Sequence, residues 1–114
     1  MDSTKDFVDV ITTAWNQFDA EQIVKHLDES FRYDSQWVFD YLDYNGYIDY
    51  IRGKFATLKN SNSIIKAETV ADNQLGGYMT KICQTNPATN QSAIVYYRIQ
   101  VDNNKIVKGD LCMF

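Results

Sequence analysis

The feature that most constrains the fold is a change of hydrophobic period near Asn60. Before this residue, apolar side chains recur every three or four positions, which is typical of helices that bury one face. After it come four segments rich in β-branched and aromatic residues, joined by short linkers such as NPATNQ and DNN that favour turns. The four segments are SIIKAETVAD, GYMTKICQT, SAIVYYRIQV and KIVKGDLCMF.

This order of elements predicts an α+β domain in which three N-terminal helices pack on one face of a curved antiparallel sheet. Because the strands are long and their linkers short, the four C-terminal strands are expected to form a meander. A chain of 114 residues can bury one core without disulfides or a metal. No low-complexity linker divides it, so we expect a single domain over residues 1–114.

The helices have identifiable boundaries. The first is predicted over 4–18, where apolar residues follow helical spacing. Asp19 and Gln22, three residues apart, are typical of a capping box, and we expect them to open a second helix that ends near Asp28.

The third helix is predicted from Asn45 to about Asn60. Gly53 lies inside it, where glycine costs up to ~1 kcal/mol relative to alanine, so we expect close packing against this residue. The predicted core stripe is Ile48, Ile51, Phe55 and Leu58.

Charge and hydropathy exclude several classes of partner. The net charge is −4 and no three lysines or arginines are consecutive, which argues against a nucleic-acid ligand. No apolar segment is as long as a membrane span, so no membrane partner is expected. The N-terminal sequence MDSTKDFVDV lacks the pattern of a signal peptide, which favours a cytoplasmic location.

The cysteines are predicted to be free thiols. Cys83 and Cys112 fall on the second and fourth strands of the meander, about 9–10 Å apart across the strand between them. A disulfide needs Cα atoms within about 7 Å. Two cysteines and one histidine also lack the spacing of a zinc site, so no metal and no cofactor is expected.

Between the second and third helices lies the segment FRYDSQWVFDYLDY (31–44), which holds six aromatic residues and three aspartates. Its first part is predicted to be a short strand, in which Phe31, Tyr33 and Ser35 face one way and Asp34 faces the other. Burying an aromatic side chain stabilises the fold by roughly 1.5–3 kcal/mol. Burying an unpaired carboxylate costs several kcal/mol. The aromatic set should therefore face the core, with Asp34 outside and paired with Arg32.

Three segments carry a resemblance to a known family: AWNQFDAEQIVKHLDESFRYDS (14–35), NGYIDYIRGKF (45–55) and NKIVKGDLCMF (104–114). In this order they resemble the nuclear transport factor two-like superfamily, which includes ketosteroid isomerase, scytalone dehydratase and polyketide-cyclase-like proteins. The resemblance implies a cone-shaped, cystatin-like barrel with an apolar pocket at its open end. It also implies a homodimer formed through the outer surface of the sheet, and the partly apolar character of both faces of SAIVYYRIQV agrees with that.

The resemblance also suggests a catalytic candidate. Ketosteroid isomerase uses an aspartate of the first strand as its base, and an ungapped register brings Ser35 to that position, whereas a one-residue gap near Asp28 brings Asp34 there. The isomerase's two oxyanion donors are a tyrosine of the first helix, which falls near Ile11 here, and a protonated aspartate of a late strand, which falls near Val95 or Tyr96. A base without an oxyanion partner lacks what is usually the larger electrostatic contribution.

Three classes of function follow from these observations. The first is a non-catalytic domain that binds a small apolar or ring-bearing ligand in an aromatic-lined pocket. The second is an acid–base isomerase, dehydratase or cyclase that uses Asp34 with a tyrosine. The third is a structural or protein-interaction dimer whose cavity is filled by its own side chains. The sequence favours the first class, and the expected ligand-binding residues are Trp15, Tyr33, Ser35, Trp37 and Tyr50.

Overall fold

A computed structural model describes residues 4–35 and 40–113 of the chain. Its helices are α1 (Thr4–Gln17), α2 (Glu21–Val24) and α3 (Tyr44–Asn60). The first helix ends where Phe18 takes a left-handed backbone conformation, at φ +53°. The third begins at an N-cap, since the Asp43 carboxylate accepts a hydrogen bond from the Gly46 N–H at 2.8 Å.

The second helix is shorter than the sequence predicts. It covers four residues, and Leu27 already belongs to a strand, because the backbone of this segment pairs with the last strand of the sheet. The predicted capping box is also wrong. Ala20 is the N-cap, while the Asp19 carboxylate accepts hydrogen bonds from the Glu21 backbone N–H at 3.2 Å and from the Gln22 side-chain amide at 3.0 Å.

Five strands form one sheet in the order β1-β5-β4-β3-β2. The antiparallel meander from β2 to β5 is confirmed. The first strand adds a parallel edge beside β5, so that the sheet is mixed. The strands are β1 (Leu27–Ser35), β2 (Ile64–Ala71), β3 (Tyr78–Asn86), β4 (Gln91–Asp102) and β5 (Lys105–Cys112).

The helices cover the inner face of this sheet, and the core lies between the two layers. The alternation predicted for β1 is confirmed: Phe31 and Tyr33 are 1% and 2% exposed, whereas the side chain of Asp34 is 33% exposed. The core stripe of α3 is confirmed as well. Its buried residues are Tyr47, Ile48, Ile51, Phe55 and Leu58.

Hydrogen bonds as well as apolar contacts hold α1 on the sheet. The Thr12 hydroxyl lies 2.9 Å from the Thr69 hydroxyl and 3.0 Å from the Thr80 hydroxyl. The Asn16 side chain donates to the Ala67 carbonyl at 2.9 Å and accepts from the Ala67 N–H at 2.8 Å. These bonds satisfy buried polar groups and fix the position of α1 over β2 and β3.

Two glycines, Gly53 and Gly109, differ in how closely their neighbours pack against them. Gly53 is exposed and a Cβ there would have no neighbour within 4 Å, so the prediction of close packing was wrong. Gly109 is buried, and a Cβ on it would clash with the hydroxyl of Tyr97 and lie 3.2 Å from the Phe31 ring. A side chain is therefore sterically excluded at Gly109 on β5, whereas Gly53 on α3 has room for one.

The predicted free thiols are confirmed. Cys83 lies on β3 and Cys112 on β5, with β4 between them, and both are free and half-buried. Across residues 4–35 and 40–113, no helix is both long enough and apolar enough to span a bilayer.

Candidate functional site

A pocket of about 320 Å³ opens between α1, α3 and the inner face of the sheet. This volume is at the small end of the range of about 300–1,000 Å³ typical of ligand sites. The lining comes from α1, β1, α3 and the inner face of three strands. The lining residues are Trp15, Ser35, Tyr50, Lys54, Ile82, Gln84, Val95 and Leu111.

The periodicity of each element explains why these side chains meet. Tyr50 and Lys54 are four residues apart on α3 and therefore lie one above the other on the same face. Ile82 and Gln84 are two residues apart on β3, so both point to the inner face of the sheet. Ser35 is the last residue of β1, at the end of the strand that leads into the pocket.

The walls of the pocket are mostly apolar, and one buried donor in them is unpaired. Trp15 is 4% exposed and its ring meets that of Phe55 edge to face at 5.0 Å. Its indole N–H has no hydrogen-bond acceptor among the described residues. A buried donor without a partner costs roughly 1–3 kcal/mol, so such groups are rare unless water or a ligand satisfies them.

Lys54 is the only charged residue among the described residues that line the pocket. It is half-buried, and no carboxylate of the described chain forms an ion pair with it. Two residues earlier on the same helix, Arg52 is paired with Glu21, with 2.7 Å between its Nε and the carboxylate. Within the described part of the chain, the ammonium group of Lys54 therefore has no counter-charge.

Behind the pocket lies a closely packed group of three buried tyrosines, Tyr33, Tyr47 and Tyr97, here called the tyrosine cluster. The ring of Tyr33 lies 4.7 Å from that of Tyr47 and stacks on that of Tyr97 at 6.1 Å. The Tyr97 hydroxyl donates to the Tyr47 hydroxyl at 3.1 Å, and the Tyr33 hydroxyl is hydrogen-bonded to the side chains of Ser35 and Tyr50. Every hydroxyl of the cluster therefore has a partner.

Burial controls the electrostatics of this cluster. Loss of hydration disfavours the charged phenolate and raises the pKa of Tyr33, Tyr47 and Tyr97 well above the ordinary value. In Tyr97 the neighbouring Tyr47 raises the pKa further, because its phenolate would repel a second negative charge. The three hydroxyls thus remain neutral at physiological pH and act as hydrogen-bonding groups, not as bases.

The structure brings together three of the five predicted ligand-binding residues. Trp15, Ser35 and Tyr50 line the pocket. Tyr33 does not line it, because its ring points deeper into the core, and it supports Ser35 and Tyr50 through its hydroxyl. Trp37 lies outside the described residues.

The predicted catalytic residue lies on the other side of the sheet. Asp34 faces outward and pairs with Arg32, with 3.1 Å between the Arg32 Nε and the carboxylate. Its partner across the parallel ladder is Asp110, whose carboxyl pKa is raised by burial. Asp34 does not line the pocket, and no carboxylate or histidine is found among the described lining residues.

Sequence reasoning missed five of the lining residues, which are Lys54, Ile82, Gln84, Val95 and Leu111. A signal for Lys54 was present, since it follows Tyr50 by four residues on a predicted helix and has no acidic residue three or four positions away. The other four lie on strands, and their place in the pocket depends on how those strands curve around the core, which the alternation alone does not specify.

A second concavity, of about 330 Å³, lies on the outer face of the sheet between β4 and the loop after β2. Within it, Arg98 donates two hydrogen bonds to Asp72, at 2.7 and 3.1 Å. The Asp72 carboxylate also accepts from the backbone N–H groups of Gln74 and Leu75, both at 3.0 Å. Arg98 lowers the pKa of Asp72 to about 2. The Asp72–Arg98 contact in this concavity is therefore a structural ion pair.

Metal ligands do not converge in the described part of the chain, where no three histidine, cysteine, aspartate or glutamate side chains are grouped.

Comparison with known proteins identifies the fold. No protein-family model matches the chain, and no curated protein matches it. Solved structures do. A cystatin-fold protein from Novosphingobium aromaticivorans has a TM-score of 0.72 and 13% identity, with 97% of this chain and 98% of that chain covered.

An NTF2-like protein from Cytophaga hutchinsonii gives a TM-score of 0.62 at 11% identity over 96% and 88% of the two chains. A protein with a ketosteroid isomerase-like fold from Catenulispora acidiphila, solved in complex with trimethylamine, gives 0.64 at 10% identity over 97% and 87%. The chain thus has a cystatin-like, NTF2-like fold, and the resemblance drawn from its sequence is confirmed at the level of fold.

Proposed function

We propose that this domain binds a small, mainly apolar compound with a ring or an acyl chain in the pocket between α1, α3 and the sheet, without transforming it. The observation that carries the proposal is the pocket itself: about 320 Å³ walled by Trp15 and Tyr50 and by aliphatic side chains, with one buried N–H left unpaired. Aromatic walls supply contact area, and a few polar groups orient the ligand.

The composition of the pocket argues against the acid–base alternative. Isomerase or dehydratase chemistry needs a base within hydrogen-bond reach of its substrate. Asp34 is across the sheet, and the described lining offers hydroxyl, amide and ammonium groups but no carboxylate. The third class requires a cavity filled by the protein's own side chains. The tyrosine cluster is filled in this way, but the pocket beside it is open.

The fold of the relatives supports a binding function only in general terms. The Catenulispora protein is described with trimethylamine bound, so a domain of this fold can hold a small molecule. This chain shares 10% identity with it, and its own ligand must be argued from its own pocket.

The experiment is a fluorescence titration of a Trp37→Phe variant, in which Trp15 is the only remaining tryptophan. We expect aromatic and acyl compounds to change its emission, and we expect Tyr50→Ala to weaken binding by about 1–3 kcal/mol through lost ring contact. Trp15→Phe in the same background should mute the response.

A pocket-filling variant tests the location. Val95→Phe adds volume inside the pocket, whereas Ile94→Phe adds the same ring type at the neighbouring position on the outer face, which is 42% exposed. Ligand binding should be lost in Val95→Phe and kept in Ile94→Phe. Ligands whose affinity ignores Val95→Phe and Tyr50→Ala would refute the proposal.

The expected homodimer and cytoplasmic location remain proposals. The outer face of the sheet exposes Ile64 at 56% and Ile94 at 42%, which supports an interface there. Light scattering at tens of micromolar should give twice the mass of 13.2 kDa, and Ile94→Lys should shift it toward the monomer. A monomer mass for the unmodified chain would refute the proposed homodimer.

A further inference from the structure

We infer that the ligand of the pocket is a monocarboxylate, with its ring or acyl chain against the aromatic wall and its carboxylate at the ammonium group of Lys54. The inference rests on the proposed function and specifies the class of ligand. It follows from the charge that the pocket leaves uncompensated.

Lys54 has no acidic neighbour on its own helix and no ion-pair partner among the described residues. Its helical neighbours three and four residues away are Tyr50, Ile51, Thr57 and Leu58, none of which is acidic. Several other basic residues of the described chain do form ion pairs, such as Arg98 with Asp72 at 2.7 Å. Lys54 combines half-burial with the absence of any such pair among residues 4–35 and 40–113.

The apolar surroundings of Lys54 increase the energetic effect of a missing counter-charge. A charge that is partly removed from water, next to the apolar side chains of Val95 and Leu111, gains more from an opposite charge than the same charge in bulk solvent. An anionic ligand group would supply the missing charge. A cationic ligand group would be repelled by the ammonium, and a neutral one would leave its charge uncompensated.

The neutral polar groups of the pocket fit the same ligand. A carboxylate accepts hydrogen bonds through two oxygens and donates none. The pocket offers donors to match, which are the ammonium of Lys54 and the side-chain amide of Gln84. With one cation in the described lining, a singly charged group is matched better than a doubly charged phosphate.

The test compares acids with their primary amides, which have nearly the same shape and no charge. Three pairs cover ring and acyl ligands: 2-naphthylacetate, 3-phenylpropanoate and octanoate, each beside its amide. Isothermal titration calorimetry at pH 7 should show an acid bound about ten-fold or more tightly than its amide. The preference should weaken as salt rises, since the attraction is partly screened.

Variants assign the preference to Lys54. Lys54→Met keeps the aliphatic stem and removes the charge, and should bring the acid down to the affinity of its amide. Lys54→Arg should retain the preference. Lys59→Met removes an exposed charge from the last turn of the same helix, outside the pocket, and should leave the preference unchanged. Equal melting temperatures of the Lys54 and Lys59 variants would show that the fold is kept.

The outcomes separate the two proposals. If acids and amides bind equally and Lys54→Met changes neither, the carboxylate inference is overturned while the binding function stands. If amides bind more tightly than acids, the inference is likewise overturned. If no acid and no amide binds, and Val95→Phe alters nothing, the proposed function and this inference fall together.

Discussion

The tyrosine cluster and the pocket lie side by side between α3 and the sheet, and both are built from aromatic rings that carry polar groups. In the cluster each hydroxyl has a partner, and no room remains for a methyl group on Gly109. In the pocket about 320 Å³ stays open, the Trp15 N–H has no described acceptor and Lys54 has no described counter-charge. Similar residue types therefore make core in one place and a ligand site in the other, and completeness of polar contacts distinguishes them.

The largest expected effect tests the closed character of the cluster at high pH. The folded pKa of Tyr33, Tyr47 and Tyr97 is raised, so their contribution to stability is complete below the unfolded value near 10 and is lost as pH rises above it. At pH 11 the loss should be about 1.4 kcal/mol for each tyrosine. Absorbance at 295 nm should show these tyrosines ionising together with unfolding. Their ionisation in a protein that stays folded would mean that water reaches the cluster.

The next effect concerns packing. Gly109→Ala places a methyl group against the Tyr97 hydroxyl and should lower the free energy of unfolding by about 1–3 kcal/mol or more. Gly53→Ala on the exposed side of α3 is the matched control, and it should stabilise the protein by up to ~1 kcal/mol because alanine favours the helix. Urea unfolding measures both. An unchanged stability for Gly109→Ala would show that the cluster can yield space.

A third prediction contrasts a paired charge with the unpaired one in the pocket. The pKa of Asp72 is lowered to about 2, so its contribution is complete above pH 4 and is lost as pH falls from about 4 toward 2. Asp72→Asn should cost about 2 kcal/mol at pH 7, and the difference from the unmodified chain should shrink below pH 4.

The control for that variant is Asp34→Asn, because Asp34 forms a more exposed pair and its loss should cost less than about 1 kcal/mol. Urea unfolding at several pH values distinguishes the two. A pH-independent cost for Asp72→Asn would indicate lost packing instead of a lost charge.

The sequence was most informative where one period dominates. The four strands of the meander and the core stripe of α3 could be predicted because alternation and helical spacing directly determine which side chains are buried. The same logic placed Phe31 and Tyr33 inside and Asp34 outside, which is how the structure has them.

The second helix and the wall of the pocket could not be predicted in the same way. Leu27 was expected in a helix, but its backbone pairs with β5, a contact between residues far apart in sequence. Tyr33 and Ser35 share a face of β1, yet only Ser35 lines the pocket. The curvature of the sheet determines which residues of that face reach the pocket and which lie deeper in the core. Local pattern carries no information on that curvature.

The most direct measurement of the central claim is the indole N–H resonance of Trp15 in a ¹⁵N-labelled Trp37→Phe variant, followed during titration with 2-naphthylacetate. The account predicts that this resonance shifts and saturates at the affinity measured by calorimetry, while the amide resonance of Gly109 at the cluster moves little. Saturable binding that leaves the Trp15 resonance in place, or that shifts Asp72 and Arg98 on the outer face instead, would contradict it.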